Sequence, residues 1–374
     1  MNAATPPGKS RHQPITRVAV LWAHVTGYLQ AALRALLADE AVRLLVVQNA
    51  GETNARFDVF SHERCEFIEM AEQSPDTTNW MARLQAFAPE IALITGNPYP
   101  HYLRAARLLH AQGAITVWAN DRILRVPLRD AYQMAQGRIG RRWRFYEAAL
   151  VPGYAATQYA RAIGFPEARI FQGLYTCDTA LYHPVGLARH SDVQNPAWPR
   201  VFLFLGQFIE RKGVDVLMRA YQRYREMTDA PWELWCAGAG PLEHLFAAQE
   251  GVKRLGFLSP QACAEVMGQV GALVLPSRWD HWGVVIHEAT CAGLPVITTN
   301  RCYAAVELVQ TGYNGYVVDV GNAQGLTHAL LSCSEPARAQ EMGKNSLRLS
   351  YRFTPELFAW QVLENIPSIV RIAP

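Results

Sequence analysis

Two acidic residues, Asp280 and Glu288, stand eight positions apart in a segment that is otherwise mostly apolar. Trp282 and Gly283 follow the first acid, and apolar residues on both sides of the second acid favour a short helix. Eight helical positions span about 12 Å, so the two carboxylates can bind hydroxyl groups at both ends of an extended ligand. A helix that begins near Gly283 also directs free backbone N–H groups at phosphates. Taken singly, Asp280 would be an N-cap and Glu288 a surface residue.

The surrounding segment, Leu275–Val320, resembles the Glu-x7-Glu region of retaining glycosyltransferases of the GT-B fold, family-4 type. The resemblance implies that Asp280 contacts the donor sugar and that Glu288 binds the nucleotide ribose. It also implies that transfer needs no metal ion, no cofactor and no protein nucleophile. The donor-binding residues expected around the two acids are His281, Trp282, Gly283 and Val284.

A basic turn follows a predicted strand at Val201–Leu205. In similar enzymes a basic residue just after the first glycine, here Gly206, and a lysine five positions later hold the donor diphosphate. Lys212 matches the lysine, but Gln207 occupies the first position, and a neutral amide cannot make a charge-assisted pair. Arg211 would compensate, although adjacent side chains in an extended turn usually point apart.

The nucleotide end of the expected donor site is less distinctive. Gly238 and Gly240 form a glycine-rich turn before a helix, and the resemblance assigns base recognition to the main chain near Phe257 and Leu258. The turn lacks the third glycine of a dinucleotide fingerprint, which disfavours an NAD-dependent oxidoreductase. Glu307 precedes another pair of glycine turns and is either a structural helix residue or a donor-side contact.

The acceptor side is predicted from strand ends in the first half of the chain. Asp121 follows a predicted strand and would orient or deprotonate the acceptor hydroxyl. His101 either reaches the cleft or is an ordinary residue at a helix start. The remaining acceptor candidates are Thr26, Gly27, Tyr28 and Asn97.

Alternating strand and helix patterns occur in two blocks, which predicts two doubly wound parallel sheets that face each other across a ligand cleft. The predicted strands are Arg17–Trp22, Val42–Gln48, Ile91–Thr95 and Ile115–Trp118, then Val201–Leu205, Glu233–Cys236, Ala272–Leu275 and Pro295–Thr299. The resemblance implies that a last helix crosses back onto the first domain. The predicted segments are a disordered lead (1–16), an acceptor-binding domain (17–187), a donor-binding domain (188–352) and the crossover helix (353–374).

The amino-acid composition is that of a globular protein. The 374 residues are 50% hydrophobic and 18% charged, with a net charge of +3, which fits a globular two-domain protein and gives no reason to expect nucleic-acid binding. The lead is polar and no apolar run is long enough to cross a bilayer. Seven scattered cysteines without a Cys-x-x-Cys pair favour a reducing cytoplasm and no zinc site.

Four arginines, Arg138, Arg141, Arg142 and Arg144, lie among aromatic residues. They form either a solvated basic face or a surface that docks on the inner, anionic face of a membrane, where lipid-linked acceptors occur. The sequence therefore predicts a glycosyltransferase with a nucleoside-diphosphate sugar as donor and a glycan or lipid-linked acceptor, in glycoconjugate or polysaccharide biosynthesis. A glycoside phosphorylase and a non-catalytic sugar-nucleotide sensor are the alternatives.

Overall fold

The computed structural model describes residues 15–49, 60–70, 77–95, 99–124, 131–132, 134–135, 142–191, 197–246 and 249–372. Within these ranges, all strands belong to two parallel sheets. Both sheets are covered by helices, which confirms the predicted α/β architecture. None of the helices in the described ranges combines the length and the apolar character needed to span a bilayer.

The inner strands of the first sheet are strongly apolar and buried on both faces, as is usual in parallel sheets, whereas the edge strands are only partly buried. Its strands are β1 Thr16–Trp22, β2 Val42–Asn49, β3 Cys65–Met70, β4 Ile91–Thr95, β5 Ile115–Ala119, β6 Ala148–Val151 and β7 Ile170–Gln172. They lie in the order β3-β2-β1-β4-β5-β6-β7. The described helices of this part are α1 Gly27–Leu37, α2 Thr77–Phe87, α3 Pro100–Ala111 and α4 Tyr154–Ile163.

The second sheet repeats the scheme with six strands in the order β10-β9-β8-β11-β12-β13. These strands are β8 Val201–Leu205, β9 Glu233–Ala237, β10 Val252–Gly256, β11 Ala272–Leu275, β12 Val296–Thr299 and β13 Gly315–Val318. The associated helices are α5 Thr179–Ser191, α6 Val214–Glu226, α7 Pro260–Gln269, α8 Val284–Cys291, α9 Ala304–Leu308, α10 Ala323–Cys333 and α11 Pro336–Ser350.

Strand order reverses at the same place in both sheets. β1 pairs with β2 on one side and β4 on the other, and β8 lies in the same way between β9 and β11. Loops at such a reversal diverge and leave a crevice at the carboxyl ends of the strands. The loops after β1, β8 and β11 therefore provide the frame for a ligand site.

The end of the described chain returns to the first domain, as the fold prediction expected. Helix α12 Pro355–Trp360, a π-helical turn Gln361–Asn365 and helix α13 Ile366–Ile372 follow one another. Phe358, Val362 and Ile366 are fully buried in the core that also contains α1 and β1. The returning segment thus completes the first core, although its helix is interrupted where one continuous helix was predicted.

The first crossing between the domains lies earlier than the predicted boundary at 187/188. Helix α5 packs against α7 and α8 of the second domain, and both Cys177 and Tyr182 are buried in the second core. The polar stretch after Leu187 suggested a linker, but burial of the apolar face of α5 determines which domain that helix joins. The chain therefore crosses between β7 and α5.

Candidate active site

The loop after β8 places two cations at the bottom of the interdomain cleft. Glu210–Lys212 form a 3₁₀ turn, and Gly213 adopts φ 69° before α6 begins. A Cβ atom on Gly213 would lie 2.1 Å from the Pro276 carbonyl oxygen, so only glycine lets this loop pack directly on the loop after β11. This close approach brings Lys212 to the residues that follow β11.

Asp280 lies in that second loop and binds both cations. Its Oδ2 contacts Nζ of Lys212, and its Oδ1 lies 3.4 Å from Nη1 of Arg211. The expectation that Arg211 and Lys212 point apart is wrong, because the turn is 3₁₀ rather than extended. Gln207, by contrast, is exposed at the mouth of the cleft. Arg211 thus supplies a second positive charge on this wall, which Gln207 cannot provide.

The backbone of Asp280 is fixed independently of its ion pairs. Its N–H donates to the Arg301 carbonyl at 2.8 Å, and its own carbonyl accepts from the Tyr303 N–H at 3.3 Å. A loop bridged in this way to the segment after β12 holds the carboxylate in place. Its side chain is 15% exposed, so the ion pair is largely shielded from water.

Glu288 lies on α8, the helix that follows the loop of Asp280. Gly283 adopts φ 90° and caps α8, so the helix begins beside Gly283 as predicted. Gly293 adopts φ 66° just beyond the last helical residue, as a terminating glycine should. Glu288 faces the cleft, where burial raises the pKa of its carboxyl group to about 7, although the neighbouring His287 and the Tyr182 hydroxyl oppose the shift.

The first domain contributes the opposite wall. Asp121, after β5, accepts a 2.8 Å hydrogen bond from the Tyr175 hydroxyl, and its Oδ2 lies 3.6 Å from Nδ1 of His281 in the second domain. The Tyr175 ring packs edge-on against Tyr28, with 4.8 Å between ring centroids. Asp121 therefore reaches the cleft and links the two domains across it.

These residues line one cleft of about 420 Å³. It brings together Tyr28, Asp121, Gly206, Gln207, Arg211, Lys212, Asp280, His281, Trp282, Gly283, Val284 and Glu288. A second cavity of about 590 Å³ adjoins it, because Gly206 and Gln207 line both. Gly238, Gly240, Phe257 and Leu258 line this second cavity. All predicted donor-side residues thus surround two adjoining cavities.

The glycine-rich turn has a structural role of its own. Gly238 adopts φ 136°, and a Cβ atom there would lie 2.0 Å from the Gly206 carbonyl oxygen. The turn was expected to leave space for a nucleotide, and it does line the second cavity. Its tightest constraint, however, is packing against the neighbouring β8 loop.

Other predicted residues do not line the cleft. His101 is the second residue of α3 and packs against Tyr102, with 4.6 Å between ring centroids, so the helix-start alternative describes it. Burial lowers the pKa of its imidazole. Thr26 and Gly27 lead into α1 beside Tyr28 without lining either cavity. Asn97 lies outside the described residues.

Glu307 joins the two domains at a different place. Its Oε1 accepts a 2.7 Å hydrogen bond from the Tyr154 N–H at the start of α4, and its Oε2 lies 3.5 Å from Arg352. The carboxylate is buried and faces the first domain. Of the two alternatives for Glu307, these contacts fit the structural one.

The arginine cluster is only partly described. Arg138 and Arg141 lie outside the described residues, and only the backbone of Arg142 is described, within the 3₁₀ turn Arg142–Phe145. Arg144 is exposed, and its guanidinium carbon lies 5.9 Å from the Phe145 ring centroid. Membrane docking of this segment stays a prediction.

Three residues at the site were missed by sequence reasoning. Tyr175 supports Asp121, Tyr182 adjoins Glu288, and Arg278 holds the basic loop by donating to the Glu210 carbonyl at 2.7 Å and to Asp215. Arg278 could have been suspected from the sequence, because it is an arginine only two residues before Asp280.

The fold and the adjoining cavities define a class of protein, the GT-B fold with its site between two Rossmann-like domains. Sucrose-phosphate synthase from Thermosynechococcus elongatus superimposes with a TM-score of 0.71 at 18% identity, over 96% of this chain and 100% of that one. Anabaena HepE in complex with UDP and glucose superimposes with a TM-score of 0.69 at 17% identity, over 94% and 100%. At these identities the similarity establishes the fold.

The sequence comparisons match one family over part of the chain. The family described as glycosyl transferases group 1 matches residues 199–335. An uncharacterized glycosyltransferase of Methanocaldococcus jannaschii is 29% identical over 161 residues, 41% of this chain and 44% of that protein. The lipopolysaccharide core biosynthesis glycosyltransferase LpsE of Rhizobium meliloti is 30% identical over 161 residues, 42% and 43%. The matched part thus spans less than half the length of these relatives. Residues 199–335 therefore match the group 1 glycosyltransferase family, and the chain as a whole has the GT-B fold.

Proposed function

We propose that this protein is a retaining, metal-independent glycosyltransferase that moves a sugar from a nucleoside diphosphate to an acceptor hydroxyl. The observation that carries the proposal is the contact of Asp280 with both Lys212 and Arg211 in a cleft that also holds Glu288. A diphospho-sugar needs cations at the phosphates and acceptor groups at the sugar and ribose hydroxyls. This wall offers both within one cavity.

Donor binding would exchange partners within the ion pair. In the structure Lys212 neutralises Asp280. A donor diphosphate would replace the carboxylate at Lys212 and Arg211, while Asp280 would accept hydrogen bonds from sugar hydroxyls. Negative charge on the diphosphate grows as the bond from the sugar C1 to the phosphate oxygen breaks, so the cations stabilise the transition state more than the ground state.

The two cavities suggest how a donor would lie. The 420 Å³ cleft between the domains would hold the diphosphate and sugar, and the 590 Å³ cavity beside Gly238 and Phe257 would hold the base. Glu288 lines the first cavity on the second-domain side, where a ribose between the two parts can reach it. The acceptor hydroxyl would enter beside Asp121 and attack on the same face as the leaving phosphate, which takes up its proton.

Relatives suggest the acceptor class. LpsE is a lipopolysaccharide core biosynthesis glycosyltransferase, and another relative is a glycogen synthase of Mycobacterium tuberculosis, 28% identical over 183 residues. We therefore place this protein in glycoconjugate or polysaccharide biosynthesis, acting in the cytoplasm on a glycan or lipid-linked acceptor.

A calorimetric screen of nucleoside diphosphates tests the donor site, followed by incubation of the matching nucleotide sugars with and without acceptors. We expect tight binding of one diphosphate, transfer or slow donor hydrolysis, and a product with the donor's anomeric configuration. Glu226→Ala, an exposed acid on α6, serves as the control variant. Turnover only with phosphate and a disaccharide would indicate a phosphorylase, and donor binding without any turnover would indicate a sensor.

Contact with an anionic membrane is a separate part of the proposal. Replacing Arg141, Arg142 and Arg144 by Gln should lower binding to vesicles that contain anionic lipid, and added salt should do the same. Activity on a water-soluble acceptor should be retained. Equal vesicle binding by the variant and the wild type would show that the arginines form a solvated face.

A further inference from the structure

A second group of chemically active side chains lies behind the cleft, between α8 and the crossing that precedes α5. Cys177, His287 and Cys291 are all fully buried, and their donor atoms lie within 4.8 Å of one another. The two Sγ atoms are 3.3 Å apart, well beyond the roughly 2.05 Å of a disulfide bond. Two thiols and an imidazole are the ligands that Zn²⁺ prefers.

Hydrogen bonding fixes the tautomer of His287. Its Nε2 lies 3.2 Å from the Ser350 carbonyl oxygen, which can only accept, so Nε2 carries the proton. Nδ1 is therefore the nitrogen with the free lone pair. It is buried, makes no hydrogen bond of normal geometry among the described residues, and interacts with the Cys291 thiol. A histidine N–H bound to a backbone carbonyl is the usual arrangement around a metal-ligating imidazole.

His183 is oriented by the same serine. The Ser350 hydroxyl donates its proton to the Leu347 carbonyl at 2.8 Å, so at 2.9 Å it accepts from Nε2 of His183. His183 is thus also held with Nδ1 unprotonated, and its ring interacts with Cys291. One residue, Ser350, therefore fixes two imidazoles beside the two thiols.

We infer that Cys177, Cys291 and His287, with His183 as the fourth ligand, form a structural site for Zn²⁺ or a similarly soft divalent cation. Tetrahedral Zn²⁺ with these ligands places the donor atoms about 3.4–3.8 Å apart. The donor atoms of Cys177, His287 and Cys291, which lie within 4.8 Å of one another, reach this geometry through side-chain shifts of about 1 Å. Both thiols would lose their protons on binding.

The position of the site explains what it would do. Cys177 belongs to the crossing between the domains, His287 and Cys291 belong to the helix that carries Glu288, and Ser350 ends α11 just before the chain returns to the first domain. A metal here would join these three segments. It would take no part in the transfer step, which remains metal-independent in our proposal.

Metal content of the full-length chain, purified under reducing conditions without chelator from zinc-supplemented cells, tests the inference. We expect about one zinc per chain, loss of most of it in Cys177→Ala and Cys291→Ala, and retention in the matched control Cys236→Ala, whose thiol is equally buried in the second domain. Ser350→Ala should weaken zinc binding by about tenfold or more, as is typical when a group that orients a ligand is removed.

Wild-type protein provides a test that does not depend on the folding of variants. Co²⁺ added to metal-free protein should give a thiolate-to-cobalt charge-transfer band and the intense visible bands of tetrahedral cobalt. Chelator should lower the unfolding temperature, and Zn²⁺ should restore it. None of these measurements depends on transfer activity.

Thiol titration of the unfolded protein separates the remaining outcomes. Seven free thiols without bound zinc or a cobalt spectrum would show that the cysteines only pack together, which overturns the inference. Five free thiols after purification under reducing conditions would identify a disulfide between Cys177 and Cys291, which overturns it as well.

Discussion

The two walls of the cleft differ in chemistry although the two sheets share one strand order. The second-domain wall is charged, with Lys212, Arg211 and Asp280 in mutual contact. The first-domain wall is mostly aromatic, with Tyr28 and Tyr175 around the single carboxylate of Asp121. In our proposal the charged wall binds a diphosphate, which is the same for every donor. The aromatic wall binds the acceptor, whose shape differs from enzyme to enzyme.

This difference explains why the sequence indicated the donor-side residues more clearly than the acceptor-side residues. A fixed, highly charged ligand requires particular side chains at particular spacings, and those spacings are visible in a sequence. A variable ligand is recognised by shape, through side chains brought together from strand ends that are distant in the chain. The substitutions below test whether the two walls divide the work in this way, from the largest expected effect to the smallest.

Asp280→Ala should abolish transfer and leave binding of the free nucleoside diphosphate intact or tighter. The carboxylate would be lost from the sugar hydroxyls, whereas Lys212 would be released from its ion pair and become available to phosphate. Asp280→Glu should change the preference among donors that share one base, because it displaces a buried hydrogen-bond acceptor. Calorimetry with the diphosphate and transfer assays with the sugar donors measure the two effects, and full transfer by Asp280→Ala would reduce the residue to a structural one.

Lys212→Ala should lower kcat by about 10²- to 10³-fold, the range seen when a group that stabilises developing negative charge is removed. Donor affinity should fall less, because Arg211 remains near the phosphates. Steady-state kinetics with saturating acceptor measure both parameters. Lys344→Ala, an exposed lysine on α11, is the matched control, and wild-type turnover in Lys212→Ala would contradict the assignment.

Glu288→Ala should weaken nucleoside diphosphate binding by about 1.5 to 3 kcal/mol, the usual effect of losing a hydrogen bond to a charged group. Its partly buried carboxyl group faces the cleft, and Glu288→Gln, which keeps the side-chain volume, should lose less. Isothermal titration calorimetry on folded variants gives the difference. Unchanged affinity in both variants would remove Glu288 from the donor site.

Asp121→Asn should raise the acceptor KM by about tenfold, which corresponds to the loss of one hydrogen bond of 1 to 1.5 kcal/mol. Donor affinity should stay the same, because Asp121 belongs to the opposite wall. Kinetics with acceptor varied at saturating donor, together with calorimetry, separate the two. A variant that lost donor affinity instead would show that the walls do not divide the two substrates.

Asp215→Asn should lower the free energy of unfolding by about 1 kcal/mol at pH 7, the scale of a half-exposed bidentate ion pair. Hydrogen bonds from Arg278, at 2.7 and 2.9 Å, hold the pKa of Asp215 below its ordinary value near 3.8. The stabilisation is therefore present above that pKa and disappears as the pH falls through the lowered value. Urea unfolding at pH 7 and pH 3 should show the difference shrinking in acid, and Asp229→Asn, at an exposed position, should show no such change.

The fold was predictable where apolar strands alternate with helical patterns. Ile91–Thr95, Val201–Leu205 and Ala272–Leu275 were predicted at their observed bounds. Strands β6 and β7, of four and three residues, were missed. Their place in the sheet depends on the pairing of β6 with β5 and of β7 with β6, which are long-range contacts.

Local sequence patterns also failed to predict contacts that depend on tertiary packing. The sequence could not show that Arg211 and Lys212 converge on one carboxylate, because that depends on a 3₁₀ turn pressed against Pro276. Nor could spacing indicate the cluster of Cys177, His287 and Cys291, in which the two cysteines lie 114 positions apart. Its ligands come from a crossing and a helix that only the folded chain brings together.

The returning segment has a consequence for the order of folding during synthesis. A first domain ordinarily folds as soon as it has left the ribosome. Here three fully buried side chains of the first core, Phe358, Val362 and Ile366, are translated only after the entire second domain. Until then α1 would present an uncovered apolar surface, with Leu29 and Leu33 in the same core. We therefore expect the nascent first domain to remain incompletely packed until residues 355–372 emerge. Until then chaperones should bind its exposed apolar surface.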